Sequence, residues 1–457
     1  MLDVVVLAAG RGTRMRSRRP KVLHDLCGRP LLQWVLGVAH SVLGVPPLVV
    51  VGPDHSAISA QFSAQARFCV QPHPRGTGDA VAQALPYLLP DAEQVLVLYG
   101  DMPLLQTTTL QRLVKRQARH TGPGPALLTI ARSESQGFGR VVRDVHGAFQ
   151  EIVEERNCSS VQRAITELNV GVYVFDVGWL RRTIGDLPLQ AHQEKYLTDL
   201  PGLAVAAGHA VQTVQAAAAE ASGINTRVDL AAAARLMRAR INTAHMLAGV
   251  TLADPVTAYI DADVAIGADT TIGPGVVLTG TTIIGEACEI GSGTHLHDTE
   301  VGNGCRIRQS VLEGVTLEDD CHVGPFARMR PGTRLGQSVH VGSFGEIKNS
   351  RLGPHVTMGH FSYVGDADVG AHVNIGAGTI TCNFDGETKH RTVVEAGAFL
   401  GSGTKLIAPV TVGREACTGA GSVVTRDVSA ETLVYGVPAR PQRQGAGKPG
   451  VPADQDE

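Results

Sequence analysis

This sequence predicts an α/β chain in two parts: a Rossmann-like sheet flanked by helices, then a parallel β-helix of hexapeptide repeats, joined by a long helix. Two patterns carry the prediction. An aliphatic side chain returns every sixth residue at Ile260, Ile266, Ile272, Leu278, Ile284, Ile290 and Leu296, and again at Leu317, Val323, Met329, Leu335, Val341 and Ile347. That period fits neither the turn of a helix nor the alternation of a plain strand. Ahead of it, short apolar runs alternate with helical stretches, as a parallel α/β sheet requires.

In chain order, the strand-like runs are Val4 to Leu7, Leu48 to Val51, Val95 to Tyr99, Leu127 to Ile130 and Val170 to Phe175. A mostly parallel sheet built from them carries its sites at the carboxyl ends of its strands. Asn225-Thr226 then offers an N-cap to an Ala-, Arg- and Leu-rich stretch from Arg227 to about Leu247, within which nothing breaks a helix. From about residue 250 the hexad begins. Glycine follows many of its aliphatic positions, as in Ile266-Gly267, Ile290-Gly291 and Val341-Gly342, and permits tight corners. One coil alone cannot bury its inward row, but coils stacked about 4.8 Å apart bury it as a continuous column. A polar loop from Asn383 to Arg391 breaks the phase, and the Gly-, Pro- and acid-containing end reads as a disordered tail. The expected division is 1–225, a linker helix over 226–249, repeats over 250–440 and a tail over 441–457.

At 457 residues the chain exceeds what one hydrophobic core serves, in keeping with two domains. A net charge of −3 argues against a bulk electrostatic footprint for nucleic acid. No apolar run approaches membrane-spanning length, and Leu2 to Leu7 starts a strand where a signal peptide would lie, so a cytoplasmic protein is expected. The eight cysteines include no C-x-x-C pair and read as small buried hydrophobes.

Leu7-Ala8-Ala9-Gly10-Arg11-Gly12-Thr13-Arg14-Met15 leaves a buried strand for a Gly-rich, basic turn suited to polyphosphate. Met15 replaces the third glycine of the dinucleotide fingerprint, and the G-K-[ST] of a P-loop is missing. Lys21 follows a turn later. Asp101 emerges from the Val95 to Tyr99 run, where a carboxylate is well placed to hold Mg²⁺ on phosphate oxygens.

These residues, with Gln71, Gly76-Thr77, Tyr99-Gly100-Asp101, Gly139, Glu154, Asn169 and Asn225, resemble the bacterial bifunctional N-acetylglucosamine-1-phosphate uridylyltransferase and glucosamine-1-phosphate N-acetyltransferase family. The resemblance covers about residues 1 to 440. It implies that Leu7, Ala8, Ala9, Gly10, Gln71, Gly76 and Thr77 surround the uridine part of UDP-N-acetylglucosamine, with Tyr99 and Gly100 alongside. Gly139, Glu154 and Asn169 would hold the amino sugar. Asp101 and Asn225 would bind Mg²⁺, and Arg14 and Lys21 would stabilise phosphate charge as UTP loses pyrophosphate.

In the repeats, Arg330 and Lys348 are eighteen residues apart, so they stack on adjacent coils, and two such cations want an anion between them. A sugar phosphate supplies one. His360 then reads as a general base for an amine nucleophile. By resemblance, Arg330, Lys348, Tyr363 and Asn374 bind glucosamine 1-phosphate, and Ala377, Asn383, Phe384, Ser402, Ala420 and Arg440 bind acetyl-CoA. Phe384 stands where many relatives carry tyrosine, and Gly436 where some carry arginine. The resemblance also implies a left-handed coil and a homotrimer in which the 383–391 loop, carrying Lys389, reaches a neighbour's site. Two other readings compete. In one the β-helix is only an oligomerisation or regulatory module on a single-activity nucleotidyltransferase. In the other His340, His355, His360 and His372 ligate zinc.

Overall fold

The computed structural model describes residues 1–135, 137–190 and 193–444. Two compact units emerge, Met1–Met237 and Arg238–Glu457.

In the first unit, Leu2–Leu7 lies at the centre of a sheet, parallel to Leu48–Val51 on one side and Gln94–Tyr99 on the other, with Arg67–Val70 beyond Leu48–Val51. All five strands expected from the sequence are present. One of them, Glu167–Asp176, runs antiparallel to both of its neighbours, Gln94–Tyr99 and Ala126–Ala131. It is entered from a hairpin, Arg140–Arg143 and Phe149–Val153, rather than from a crossover helix, and so reverses direction. Val4, Val5, Val6 and Val95 to Leu98 have no exposed surface, because helices cover both faces of the sheet. Their carboxyl ends open on one side.

The 226–249 connector is a helix, Arg227–Leu247, but neither half of it is a bare spacer. Its first part packs within the first unit, where the Cys27 thiol points at the Ala234 carbonyl. Its second part belongs to the repeat unit. There the Asn242 amide, 1% exposed, donates to the carbonyls of Pro255 and Ala258, and the Arg238 guanidinium lies 3.9 Å from the Tyr259 ring centroid.

The second unit is a parallel β-helix. Among the described residues its strands form three faces of 12, 10 and 9 members, and each coil visits the three in turn. The hexad residues point inward and form one core; all are buried except the half-buried Ile266. The gap between the two hexad series is also explained. Ile284 pairs with Val301, Leu296 with Leu312 and Leu312 with Met329, so coils here are one or two residues shorter than the eighteen of Ile272 to Ile290. The corners lose the residues while the strands keep their register. At the far end, Ala439–Gln444 folds back antiparallel on Thr432–Gly436. Pro441 to Gln444, assigned to the tail from composition, therefore cap the last coil through backbone pairing; residues 445–457 lie outside the described residues.

Candidate functional sites

In the first unit, the strand ends converge on a cleft of about 570 Å³ lined by Leu7, Ala8, Ala9, Gly10, Lys21, Gln71, Gly76, Thr77, Tyr99 and Asp101. An adjoining pocket of about 250 Å³ shares Tyr99 and Asp101 and adds Gly139, Glu154, Asn169 and Asn225. Gly100 lines neither. It is buried, and a Cβ there would press at 3.3 Å on Leu32 and on the Leu7 carbonyl oxygen.

Backbone constraints shape both pockets. Gly76 has φ 93°, and a Cβ on it would meet the Lys195 carbonyl oxygen at 2.4 Å, so only glycine lets that segment close over the cleft. Gly171 sits in the bulge of the antiparallel strand with φ 87°, close to the Tyr99 ring, where a Cβ would approach a ring carbon at 2.7 Å. Burial pushes the Tyr99 hydroxyl up, and a hydrogen bond with Thr77 offsets part of that rise. The phenol stays neutral. Glu154 accepts a hydrogen bond from Thr198 at 2.8 Å, and the Asn169 amide donates to the Tyr173 hydroxyl at 2.9 Å.

Lys21 forms an ion pair with Asp101, and its ammonium also donates to Asn225 Oδ1 at 3.2 Å. Arg14 donates to the same Asn225 oxygen at 2.9 Å. Two hard oxygen donors that already collect two cationic side chains have the chemistry of a Mg²⁺ cradle.

The β-helix divides its candidate residues between two corners. The first lies between the Thr357–Met358 and Ser362–Gly365 strands and holds His360, which is exposed. The amides of Gly378, Gly403 and Gly421 bond to the carbonyls of Phe361, Ala377 and Ser402 respectively. His360, Ala377, Ser402 and Ala420 therefore form one column down four successive coils. Asn374 leads into it, on the strand beside Thr357. Below Ala420, a Cβ on Gly419 would touch Tyr435, the register partner of Arg440; Arg440 itself lines a cavity of about 550 Å³ with Arg426 and Asp427.

The second corner lies at the other end of the same strands. The Arg330 amide bonds to the Ile347 carbonyl, which sets Arg330 directly over Lys348, and Lys348 stacks on Gly365. The Tyr363 hydroxyl reaches back over Gly365, where a Cβ would lie 2.3 Å from it. Lys389 approaches Lys348, and chiefly through that ammonium contact the Lys348 amine is held below its ordinary value. Asp366, buried at the same corner, accepts from the amides of Asn349 at 2.6 Å and Asn383 at 2.5 Å. Burial alone would raise its carboxyl, but these donors and the Lys348 and Lys389 charges outweigh burial and hold it below the usual aspartate range.

The 383–391 loop forms an exposed hairpin: Phe384 bridges to Lys389, Asp385 binds His390 at 2.6 Å, and Lys389 approaches Lys348 of the same chain. The buried Asp366 anchors the loop's start through Asn383. Within one chain, His360 and Lys348 lie at opposite ends of the strand layer that contains Ser362–Gly365. Gly365, beside Lys348, lies five residues beyond His360, up to about 16 Å of extended strand. The histidines offered as zinc ligands pair off instead: His355 stacks on His372 at 4.8 Å, while His340, on the strand beside Thr357–Met358, packs against His322. Among the described residues no group of three or more potential ligands gathers.

Sequence reasoning missed Asp366, Thr198 and Asp79. Asp79 sits in the first turn of Thr77–Ala84, where an acidic residue ordinarily passes for a partner of the helix dipole.

A family model, the MobA-like NTP transferase domain, matches residues 4–170. A protein of Alkalilimnicola ehrlichii named bifunctional protein GlmU is 46% identical over 100% of this chain and 98% of its own length. Proteins of the same name from Heliobacterium modesticaldum, covering 94% of both chains, and Bordetella parapertussis, covering 95% and 96%, are each 44% identical.

Proposed function

Because the chain belongs to the bifunctional GlmU family, we propose that its two units perform successive steps in the synthesis of UDP-N-acetylglucosamine. The protein is a uridylyltransferase and acetyltransferase. The observation that carries the reading is the presence, in one chain, of an oxygen-lined cation cradle beneath a nucleotide-sized cleft and of a stacked Arg330–Lys348 pair on the β-helix.

In the first unit, the phosphate oxygen of N-acetylglucosamine 1-phosphate attacks the α-phosphorus of UTP in line, and pyrophosphate leaves. The 570 Å³ cleft takes the nucleotide and the 250 Å³ pocket takes the sugar, with the phosphates meeting where the two share Asp101. Asp101 and Asn225 would hold Mg²⁺, which when bound neutralises phosphate charge. Lys21 and Arg14, which stand beside those oxygens, would offer positive charge to the phosphates; positioning and charge neutralisation suffice for such a transfer. Gly139, Glu154 and Asn169 orient the sugar.

In the second unit, Arg330, Lys348 and Lys389 bind the phosphate of glucosamine 1-phosphate, with Tyr363 and Asn374 on the sugar. His360 takes the amine proton as nitrogen attacks the thioester carbon of acetyl-CoA and the thiolate departs. Ala377, Ser402 and Ala420 form a smooth track for the coenzyme below His360, and small residues suit a ligand lying against backbone. The two corners of one strand layer are too far apart to share a substrate. A homotrimer solves this by setting the His360 corner of one copy against the Lys348 corner of the next, where Asn383, Phe384 and Arg440 complete the coenzyme site. The exposed ridge of Phe326, Phe344 and Phe361, with the first two rings stacked at 5.4 Å, gives that interface its apolar contact. A cytoplasmic location fits a chain in which no described helix is long and apolar enough to cross a membrane.

The test is a pair of variants assayed for both reactions. Asp101→Ala is expected to lose about a thousandfold in pyrophosphate release while keeping acetyl-CoA consumption, and His360→Ala the reverse. Undiminished acetyl transfer in His360→Ala would remove the base role from His360, whereas no acetyl transfer by the intact chain would favour a purely structural β-helix.

A further inference from the structure

The wall of the nucleotide cleft contains an amide whose orientation is fixed from behind. Gln71 is 4% exposed and lines the cleft at the end of the Arg67–Val70 strand. Both hydrogens of its side-chain NH₂ are taken by the protein: Nε2 donates to the Gly76 carbonyl at 3.1 Å and to Asp79 Oδ2 at 2.7 Å. An amide with both donors engaged has only its carbonyl oxygen left to offer a ligand. The opposite rotamer is disfavoured, because it would set Oε1 against a carboxylate and a carbonyl with no proton between them. The stronger of the two anchors is the charged one.

We propose that Asp79 is the positioning residue that selects the base of the nucleotide, by holding Gln71 so that it presents an acceptor and no donor. This rests on the uridylyltransferase reading and on Gln71 facing the base. Uracil carries an N3–H that needs an acceptor. Cytosine carries a bare lone pair at N3 and meets Oε1 with repulsion, its amino donor lying one ring atom away. A site built to accept one N–H in a buried setting discriminates strongly, since the wrong partner leaves two acceptors facing each other out of water. Asp79 touches no substrate in this scheme. Its carboxylate cannot donate, so it cannot stabilise the flipped Gln71 amide; an asparagine in its place could, by turning its own NH₂ toward Oε1.

The experiment measures kcat/KM for UTP and for CTP in the intact chain and in Asp79→Asn and Asp79→Ala, with the denaturant melt of the first unit as the control for folding. The UTP-to-CTP ratio is expected to fall by roughly tenfold or more in Asp79→Asn, through a higher KM for UTP with kcat little changed, and Asp79→Glu should recover part of it. Loss of activity toward both nucleotides in parallel, or an unchanged ratio, would overturn the role given to Asp79 while leaving a UTP-selective enzyme in place. A natural chain that favours CTP over UTP would instead sink the uridylyl reading, and Asp79's role with it.

Discussion

The two sites of this chain are built in opposite ways. The first unit gathers loops from Leu7, Val51, Val70 and Tyr99 at one end of a sheet, so residues remote in sequence such as Lys21, Asp101 and Asn225 meet within a single copy. The β-helix can only repeat itself along an axis. It lines up Arg330 with Lys348, and His360 with Ala377, in columns that cannot converge. A sheet with varied loops makes a pocket by itself, whereas a stacked coil makes edges, and the proposed assembly sets one edge against another.

The sharpest way to break this contrast is to mix two inactive proteins. His360→Ala and Lys348→Ala each remove one corner. Co-refolded in equal amounts, they should recover about one quarter of natural acetyl transfer, the fraction of interfaces that pair two intact corners in a cyclic assembly. No recovery would place both corners in one copy. The equivalent mixture of Asp101→Ala and Lys21→Ala should recover no uridylyl transfer, because that site lies within one chain.

A smaller effect is expected in the core. Ile347 is fully buried between Glu346 and Lys348, and Ile347→Ala should cost about 2–5 kcal/mol. In a coil whose turns touch only their neighbours, denaturant melts should show the loss in the transition of the repeat unit. A uridylyl transfer rate that falls equally would contradict independent units.

The smallest change concerns acid. Asp366 is held below its ordinary value, so it adds stability that is present above the unfolded pKa of about 3.9 and drains away as pH falls toward the folded one. Asp366→Asn should therefore be less stable by about 1–3 kcal/mol near neutrality and should lose less on acidification than the natural chain. Parallel stability curves down to pH 3 would refute this.

Much of the architecture was legible because the inward positions of a coil obey a strict period, and because strands such as Val95 to Tyr99 are buried on both faces and read as unbroken apolar runs. The reversed Glu167–Asp176 strand was not, since composition does not record direction. The distance between His360 and Lys348 was also hidden. Eighteen-residue spacing identifies stacking partners, but not which corner a residue occupies once 16- and 17-residue coils intervene. Asp79 escaped because its partner, Gln71, is contributed by a different element.

The uneven coil lengths have one more consequence. Between Ala367 and its register partner Thr392 the chain runs through the whole 383–391 loop, yet the ladder resumes at once with Val393 and Val394. Corners can lengthen or shrink without disturbing the layers above and below, so a new segment can be spliced there at little cost to folding. The scaffold thus separates what must stay constant from what is free to acquire chemistry.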